Sequence, residues 1–531
     1  MSETMMNGPG HTDATPVPPP LAQAVSLHLE GRRREALEII EGALASGSNS
    51  PELFSADALI RYELGLFAEA AESYRRLLAT QPEHPTATLN LAICLERTGN
   101  WKEAAEAFGK AAEKDPNRVE AQVGVGICHL HLKQADESLK AFDAVLARDP
   151  GHETALFGKA VAEQMLGHAD EASRLYRLVL EKKPQAEECL INLIGLETAR
   201  RNFGVVEECA EQLLKIRPNS PPAIEGLAAS AFAREDFEAA ATFTSKLTEF
   251  APGQYEHWFN LGVARQKTGR HEEAAQAYVQ AVKLQPEAVQ AYVNLGVAYQ
   301  ERGETREARA AYEHALQLNP DLSDVIYNLA SVLEQEGARA DAEEMYQKVL
   351  TRDPDVLEAR FRLGYLRLER GDYVAAAEAF KACIDKRSPW PEAQMNYGLA
   401  CWNVGELDKA ATAFQTVLES EPESVEALRG LAAIAVEREN FPDALEMQAK
   451  LIEHGERSPE LFYNTGLLLH KSGQVDDAIR LYKEALAEKP EFAEALLNLG
   501  HALNDKGQTE EARMFWKRAL ACNPELAQGY F

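Results

Sequence analysis

Asparagine recurs in this sequence at a regular interval or a multiple of it, each time inside an apolar stretch. A side-chain amide has both hydrogen-bond donors and an acceptor, as a peptide bond does. A row of such amides could therefore hold an extended polypeptide by its main chain, largely without regard to its side chains. The residues concerned are Asn90, Asn192, Asn260, Asn294, Asn328, Asn396, Asn464 and Asn498, with Arg362 at the same position of the pattern.

Other side chains give little indication of catalysis or of a bound cofactor. The segment "CHLH" places Cys128 and His131 on one helical face, but the spacing supplies no further ligand, so we predict no metal site. The sequence contains no HExxH, no P-loop and no GxGxxG after a strand. The seven cysteines form no CxxC pair, which favours free thiols in a reducing compartment. We predict no catalytic residue, no cofactor and no enzymatic activity.

Prolines reveal the period that positions the asparagines. Pro252, Pro286 and Pro320 are evenly spaced, and the same spacing extends from Pro82 to Pro524. Ser388 and Glu456 occupy the two positions where the expected proline is missing. A period maintained over this length without insertion indicates a repeat array, in which each unit packs on its own copies.

One repeat, residues 255–286, predicts two amphipathic helices when its places are numbered from one. Large apolar side chains fall at places four (Trp258), seven (Leu261) and twenty-four (Tyr278), and small residues fall at places eight, twenty and twenty-seven. Within each half this is helical spacing. Gly269 at place fifteen favours a left-handed turn between the helices, and the proline at place thirty-two cannot continue the second helix.

This pattern resembles the tetratricopeptide repeat, which has W, L, G, Y, A, F, A and P at corresponding places. The resemblance implies an all-α fold, an α-α superhelical solenoid of about fifteen 34-residue helix-turn-helix repeats over residues 21–524. Residues 1–20 are rich in Pro and Gly and are predicted to form a disordered tail. Residues 525–531 form a short C-terminal remnant.

The sixth repeat, near residues 187–218, departs from the pattern. Ile194 and Val206 place bulky side chains where small residues allow helices to approach, and Arg201 replaces the turn glycine. We expect a local change of pitch at this repeat.

The recurring asparagines fall at place six. In the resembled family the first helix of each repeat lines the concave side, and place six points into that groove. The units look most similar to the repeat region of O-linked N-acetylglucosamine transferases, which have an asparagine ladder. Asparagine at this place is also common in the family at large, so a purely structural role is the alternative. Other repeats have glycine at place six, which we interpret as close access to the groove: Gly124, Gly158, Gly226 and Gly430.

Places five and nine flank the ladder and are mostly apolar in the C-terminal half. Exposed together, these side chains would form an apolar groove with polar rungs. The alternative is that the next helix partly covers them. The groove residues are Phe259, Val293, Tyr327, Phe361, Tyr365, Met395 and Tyr463.

Charge and hydropathy narrow the classes of partner. The net charge of −29 opposes binding to nucleic acid and to an acidic membrane surface, and it favours basic protein segments. The sequence shows no secretory signal and no apolar stretch approaching the roughly 20 residues of a membrane span. We expect a cytoplasmic protein.

The sequence therefore predicts a protein–protein interaction scaffold that binds extended or helical segments in its groove. One alternative is a substrate-recruiting or regulatory subunit of a glycosyltransferase-type enzyme, and another is a structural repeat protein without a dedicated ligand. Phe515, Trp516 and Leu520 near the C-terminal end have no obvious polar capping helix, so self-association through this end is a further expectation.

Overall fold

The computed structural model describes residues 19–529, and these form α-helices with one short 3-10 helix and no strand. The helices alternate between the first and second helix of a repeat. First helices are α1 (Pro20–Leu29), α3 (Pro51–Glu63), α5 (Ala87–Arg97), α7 (Val119–His131), α9 (Glu153–Met165), α11 (Glu187–Ala199), α13 (Pro221–Ala233), α15 (Tyr255–Lys267), α17 (Val289–Glu301), α19 (Ser323–Gln335), α21 (Leu357–Arg370), α23 (Pro391–Val404), α25 (Val425–Glu437), α27 (Pro459–Lys471) and α29 (Ala493–Asp505). Second helices are α2 (Arg33–Ala45), α4 (Phe67–Thr80), α6 (Trp101–Lys114), α8 (Ala135–Leu146), α10 (Ala169–Lys182), α12 (Phe203–Ile216), α14 (Phe237–Phe250), α16 (His271–Leu284), α18 (Thr305–Leu318), α20 (Arg339–Arg352), α22 (Tyr373–Lys386), α24 (Leu407–Ser420), α26 (Phe441–Glu453), α28 (Val475–Glu488) and α30 (Thr509–Cys522).

These helices confirm the predicted all-α repeat fold. Helices α17 and α19 begin at Val289 and Ser323, one full period apart, and each corresponds to place one of its repeat. The predicted tail lies outside the described residues except for its last two, and α1 begins at Pro20. The 3-10 helix Pro524–Gly529 follows α30. No helix within residues 19–529 is both long and apolar enough to cross a membrane.

The chain divides into two compact units, Met1–Gly269 and Arg270–Phe531. Helices α1 to α15 belong to the first unit, and α16 to α30 belong to the second. Within each unit, consecutive helices pack against one another along the chain.

In most repeats a large side chain at place twenty-four is the centre of the packing. Phe142 and Phe414 are fully buried in this position. Phe414 lies between Gly398 of its own first helix and Gly430 of the next first helix, where added Cβ atoms would come within 2.6 and 2.5 Å of the ring. The ring therefore joins consecutive repeats, because it fills space that belongs to both.

The turn within each repeat uses left-handed backbone, as the glycine at place fifteen predicts. Gly269 has a φ of +74° and Gly337 has a φ of +79°. Four repeats adopt the same turn without glycine, and Arg201 in the sixth repeat has a φ of +60°. Helix pairing thus fixes this conformation even where the residue disfavours it.

The bulk in the sixth repeat is accommodated by a glycine in the next helix. Ile194 and Val206 are buried, and a Cβ at Gly226 of α13 would lie 2.7 Å from Ile194 Cγ2 and 3.0 Å from Val206 Cγ1. Ala210 stands at place twenty-four here, so these two side chains occupy the space that a ring fills elsewhere. One core cluster continues through this repeat, from Leu156 to Ala223.

Candidate functional site

The place-six residues lie in the second turn of the first helices, as the repeat pattern requires. Asn260 and Asn464 are exposed, and the other predicted ladder residues are half-buried. The half-buried set consists of Asn90, Asn192, Asn294, Asn328, Arg362, Asn396 and Asn498.

Several ladder amides bond to a tyrosine of the preceding repeat. Asn192 Nδ2 donates to the hydroxyl of Tyr176 at 3.3 Å, and Tyr176 donates to Gln164 Oε1 at 2.8 Å. Asn90 and Asn294 make the same contact with the tyrosine at place twenty-four of the repeat before, Asn90 with Tyr74 at 3.2 Å and Asn294 with Tyr278 at 3.3 Å.

Burial raises the pKa of Tyr176 to about 12, so its hydroxyl stays protonated at neutral pH and both donates and accepts. The tyrosine thereby fixes the orientation of the asparagine amide. One hydrogen bond leaves the amide with a second N–H and a carbonyl oxygen. In Asn294 that oxygen also accepts from Gln290 Nε2 at 2.9 Å.

Arg362 has a different environment from the asparagines around it in the pattern. Its Nε donates to Glu334 Oε2 at 3.1 Å, and its Nη2 also bonds to the Glu334 carboxylate. The hydroxyl of Tyr346 donates to the same carboxylate at 3.1 Å. Glu334 therefore takes the orienting role that a tyrosine takes for the asparagines, and it balances the arginine charge.

Asn498 is held by its own helix and by the preceding first helix. Its Nδ2 donates to the Glu494 carbonyl at 2.9 Å and to the Tyr463 hydroxyl at 3.2 Å. Tyr482 stands at place twenty-four of the preceding repeat, where the orienting tyrosine usually lies. Its buried hydroxyl makes no hydrogen bond to any described residue.

Glycine at place six serves ring packing, and the interpretation of these glycines as access to the groove was wrong. A Cβ at Gly124 would lie 2.6 Å from the ring of Phe108, which is buried at place twenty-four of the preceding repeat. Gly158 and Gly430 contact the rings of phenylalanines in the same way. Place six therefore matches its neighbour: asparagine often follows tyrosine, and glycine often follows phenylalanine. Sequence reasoning missed this pairing, although comparing place six with place twenty-four of the preceding repeat would have shown it.

The predicted apolar groove residues are all half-buried. Phe361 packs against Phe380 of its own repeat, with ring centroids 5.5 Å apart, and stacks on Trp390 before α23 at 5.1 Å. Tyr463 lies 5.0 Å from the ring of Phe492, which precedes α29. Neighbouring residues thus cover part of these side chains and leave part in solvent. The other predicted groove residues are also half-buried: Phe259, Val293, Tyr327, Tyr365 and Met395.

The two exposed asparagines each border a cavity of about 520 Å³. Asn260 lines a cavity between α13, α14 and α15, together with Thr244 and Leu247. Asn464 lines a cavity between α25, α26 and α27, together with Gln448 and Leu451. Most lining residues of the first cavity have a counterpart at the same place of the repeat in the second, whose lining also includes Phe441, Leu467, Leu468 and Lys471.

Both cavities occur where place twenty-four lacks an aromatic ring. Thr244 takes this place in the first cavity and Gln448 takes it in the second, and both are buried. Because neither side chain fills the volume of a ring, space remains beneath the place-six asparagine. Both departures from the repeat pattern are visible in the sequence, and this signal could have located the cavities.

The described residues contain no group of three or more His, Cys, Asp or Glu side chains arranged to hold a metal ion. Burial raises the pKa of Cys94 and of Cys209 to about 11, which keeps these thiols protonated.

Comparisons with solved structures return helical repeat proteins. The Cut9–Hcn1 hetero-tetramer of the APC/C has 15% identity and a TM-score of 0.32, over 87% of this chain and 98% of that chain. YrrB, described as a TPR protein with an unusual peptide-binding site, has 22% identity and a TM-score of 0.33, over 35% of this chain and 96% of its own. A tetratricopeptide repeat protein from Parabacteroides merdae ATCC 43184 has 16% identity and a TM-score of 0.34, over 47% of this chain and 98% of that protein's chain. The comparison with curated proteins gave no match.

Family models identify the repeats directly. One tetratricopeptide repeat model matches residues 55–119, 97–153, 259–323, 327–389 and 395–459, which together exceed half of the chain. A second tetratricopeptide repeat model matches residues 129–190 and 469–529. Neither model distinguishes the repeats of glycosyltransferases from others, so that finer resemblance stays a prediction. The sequence period, the paired helices and these matches agree: the chain belongs to the tetratricopeptide repeat family.

Proposed function

We propose that this protein is an interaction scaffold that binds extended polypeptide segments through the place-six residues of each compact unit. Its membership in the tetratricopeptide repeat family supports a scaffold for protein–protein interaction. The finer part of the proposal is that the ligand lies along the first helices and is held by its main chain.

The orientation of the asparagines carries this proposal. Asn90, Asn192 and Asn294 each donate one N–H to a tyrosine hydroxyl, which holds the amide in place before any ligand binds. Pre-organised amides lose less conformational entropy on binding than free side chains do. Each amide has further capacity to accept from a peptide N–H or donate to a peptide C=O.

Repeat geometry suits an extended ligand. Packed helices lie roughly 8 to 10 Å apart, and an extended chain advances roughly 3.3 Å per residue, so a rung meets about every third ligand residue. In the second unit the rungs are Asn294, Asn328, Arg362, Asn396, Asn464 and Asn498, and in the first they are Asn90, Asn192 and Asn260.

Charge indicates the kind of ligand. The net charge of −29 favours segments rich in Lys or Arg and raises their association rate. We expect the affinity for a basic segment to fall as ionic strength increases, because salt screens exposed charges.

The test starts from a peptide selected on the intact chain by display. Its affinity is measured for the intact chain, for a variant with Asn294→Ala, Asn328→Ala and Asn498→Ala, and for Asn319→Ala, which changes an exposed asparagine between α18 and α19. Circular dichroism checks that all are equally helical. We expect the triple variant to bind at least roughly tenfold more weakly, given about 0.5–1.5 kcal/mol per hydrogen bond. Asn319→Ala should bind normally.

A second arm tests main-chain recognition directly. Peptide N-methylation at successive positions removes single N–H donors, and alanine substitution at the same positions removes side chains. We expect N-methylation to weaken binding at about every third peptide position. At most positions we expect alanine substitution to weaken binding less than this. Equal binding by all variants and all N-methylated peptides would overturn the proposed use of the ladder.

A further inference from the structure

The cavity beside Gln448 lacks a ring that equivalent repeats contain. In those repeats the buried tyrosine at place twenty-four meets a glutamine: Tyr176 donates to Gln164 Oε1 at 2.8 Å, and Tyr312 donates to Gln300 Oε1 at 2.9 Å. The fold thus contains its own examples of a tyrosine ring packed between helices with its hydroxyl on a side-chain amide.

Gln448 itself supplies an amide oxygen with no donor. The side chain is 7% exposed, and its buried Oε1 has no hydrogen-bond partner among the described residues. An unpaired buried acceptor costs about 1–3 kcal/mol, so a ligand that donates a hydrogen bond to it gains affinity. Gln448 is one of the residues that line the cavity, so a rotation of its side-chain amide would present this acceptor to a ligand there.

The rest of the lining is largely apolar. Leu451, Leu467, Leu468 and Phe441 surround the cavity, and the exposed Asn464 lies at its edge. Its volume of about 520 Å³ lies within the roughly 300–1,000 Å³ typical of ligand pockets. These walls suit an aromatic ring, which buries a large apolar area.

Charged groups at the cavity already have partners. Arg429 and Glu456 form an ion pair at 2.8 Å, and the Lys471 ammonium lies 5.8 Å from the Phe441 ring centre. The lining carboxylates of Glu456 and Glu460 already pair with Arg429 and Lys489, so a lysine ligand would have to compete with these cations. A neutral side chain with one hydrogen-bond donor fits the walls better.

We propose that this cavity takes a tyrosine side chain of a bound polypeptide, whose hydroxyl donates to Oε1 of Gln448. The inference rests on the proposed function, because Asn464 at the edge would hold the main chain of the same ligand. It adds a side-chain preference at one position to recognition that is otherwise independent of side chains.

Methyl NMR of the full chain tests the pocket with the probe acetyl-Gly-Tyr-Gly-amide and its Phe, Trp and Ala counterparts. We expect the Tyr probe to shift the methyl signals of Leu467 and Leu468 but not that of Leu175, in the first unit. Its affinity should exceed that of the Phe probe by roughly fivefold to tenfold, the effect of one hydrogen bond. The Ala probe should cause no shift.

Two variants identify the residue responsible. Gln448→Met keeps the side-chain length and removes the amide, so it should abolish the preference of Tyr over Phe. Gln448→Tyr fills the cavity with the chain's own ring, as at Tyr312, and should abolish the shifts for every probe. The matched control Thr244→Tyr fills the equivalent cavity in the first unit and should leave the Leu467 and Leu468 shifts unchanged.

Several results would overturn the tyrosine pocket: no shift with the Tyr probe, a Trp probe that binds more tightly, or a Tyr preference that survives Gln448→Met. These failures are distinct from failure of the ladder. If the probes do not bind but Asn294→Ala, Asn328→Ala and Asn498→Ala still weaken the selected peptide, the scaffold proposal stands and the pocket does not. If N-methylation has no effect while the Tyr probe binds, the tyrosine pocket stands and the main-chain ladder does not.

Discussion

At the scale of single residues, place six in several repeats matches the ring at place twenty-four of the preceding repeat. Asparagine bonds to a tyrosine hydroxyl, as Asn192 does to Tyr176, whereas Gly124 lets the Phe108 ring approach the helix backbone. A buried tyrosine hydroxyl needs a hydrogen-bond partner, whereas a phenylalanine ring is stabilised only by close van der Waals contact. The same place therefore serves hydrogen bonding in some repeats and packing in others.

This pairing predicts that Gly124→Ala destabilises the protein despite the better helix propensity of alanine. The added Cβ would lie 2.6 Å from Phe108 Cε1, so the buried ring or a helix must move. Overpacking of this kind typically costs about 1–3 kcal/mol. Urea denaturation of the intact chain and the variant measures the change in the free energy of unfolding.

Gly195→Ala is the matched control, because Gly195 is an exposed glycine within α11 with no atom near its missing Cβ. This change should stabilise the protein by up to about 1 kcal/mol through helix propensity. Adding Phe108→Leu to Gly124→Ala should cost less than the two single changes together, since the smaller side chain relieves the clash. Equal effects of Gly124→Ala and Gly195→Ala would contradict the ring contact.

At the scale of helices and turns, the left-handed residue at place fifteen sets the path from first to second helix. Most repeats have glycine there, but Lys133, Arg201, Glu235 and Glu439 adopt φ values of +57° to +60°. Left-handed backbone costs a non-glycine residue roughly 1–2 kcal/mol. Packing of the two helices must supply this energy in each of these repeats.

Arg201→Gly should therefore stabilise the protein. Relief of backbone strain exceeds the added entropy of glycine in the unfolded chain, which is about 0.4–1 kcal/mol, so we expect a net gain of about 0.5–1 kcal/mol. Gly337→Ala should do the opposite, since its φ is +79° and no atom lies within 4 Å of an added Cβ, leaving strain as the cause. Thermal unfolding midpoints measure both; a lower midpoint for Arg201→Gly would show that the turn is unstrained.

At the scale of the whole molecule, fully buried tyrosines recur in both compact units and link stability to pH. Burial raises the pKa of Tyr74 and of Tyr176 to about 12, above the ordinary value near 10. Burial raises the pKa of Tyr312, Tyr346 and Tyr482 as well. The folded state therefore holds these protons more tightly than the unfolded state does.

The sign of the effect follows from linkage. The tyrosine contribution to stability is complete below about pH 10 and is lost as pH rises from about 10 toward 12, because the unfolded chain ionises first. We expect the stability difference between the intact chain and Tyr176→Phe to shrink by about 1 kcal/mol between pH 8 and pH 11. Urea midpoints at both pH values measure it. A difference that does not change with pH would mean that Tyr176 ionises equally in both states.

The repeat period, the two helices of each repeat and their turns were all predictable from the sequence. These features depend on local spacing: apolar side chains three or four residues apart must share a helix face, and glycine or proline ends a helix. Even Arg201 was identifiable as a residue in a glycine position. The boundary after Gly269 was not predictable, because the repeat pattern runs through residues 255–286 without a break.

The tertiary structure decided which place-six residues are supported and which border a cavity, because only the structure showed that place six meets place twenty-four of the preceding repeat. The sequence presented Asn192 and Asn464 as equivalent, yet the first bonds to Tyr176 and the second is exposed beside Gln448. The difference arises across a contact between repeats, where the size and polarity of one side chain determine the space and hydrogen bonds left to another. Hydrophobic spacing determines which helix face is buried. Only packing between repeats determines whether neighbouring side chains fill the space at that face or leave a cavity.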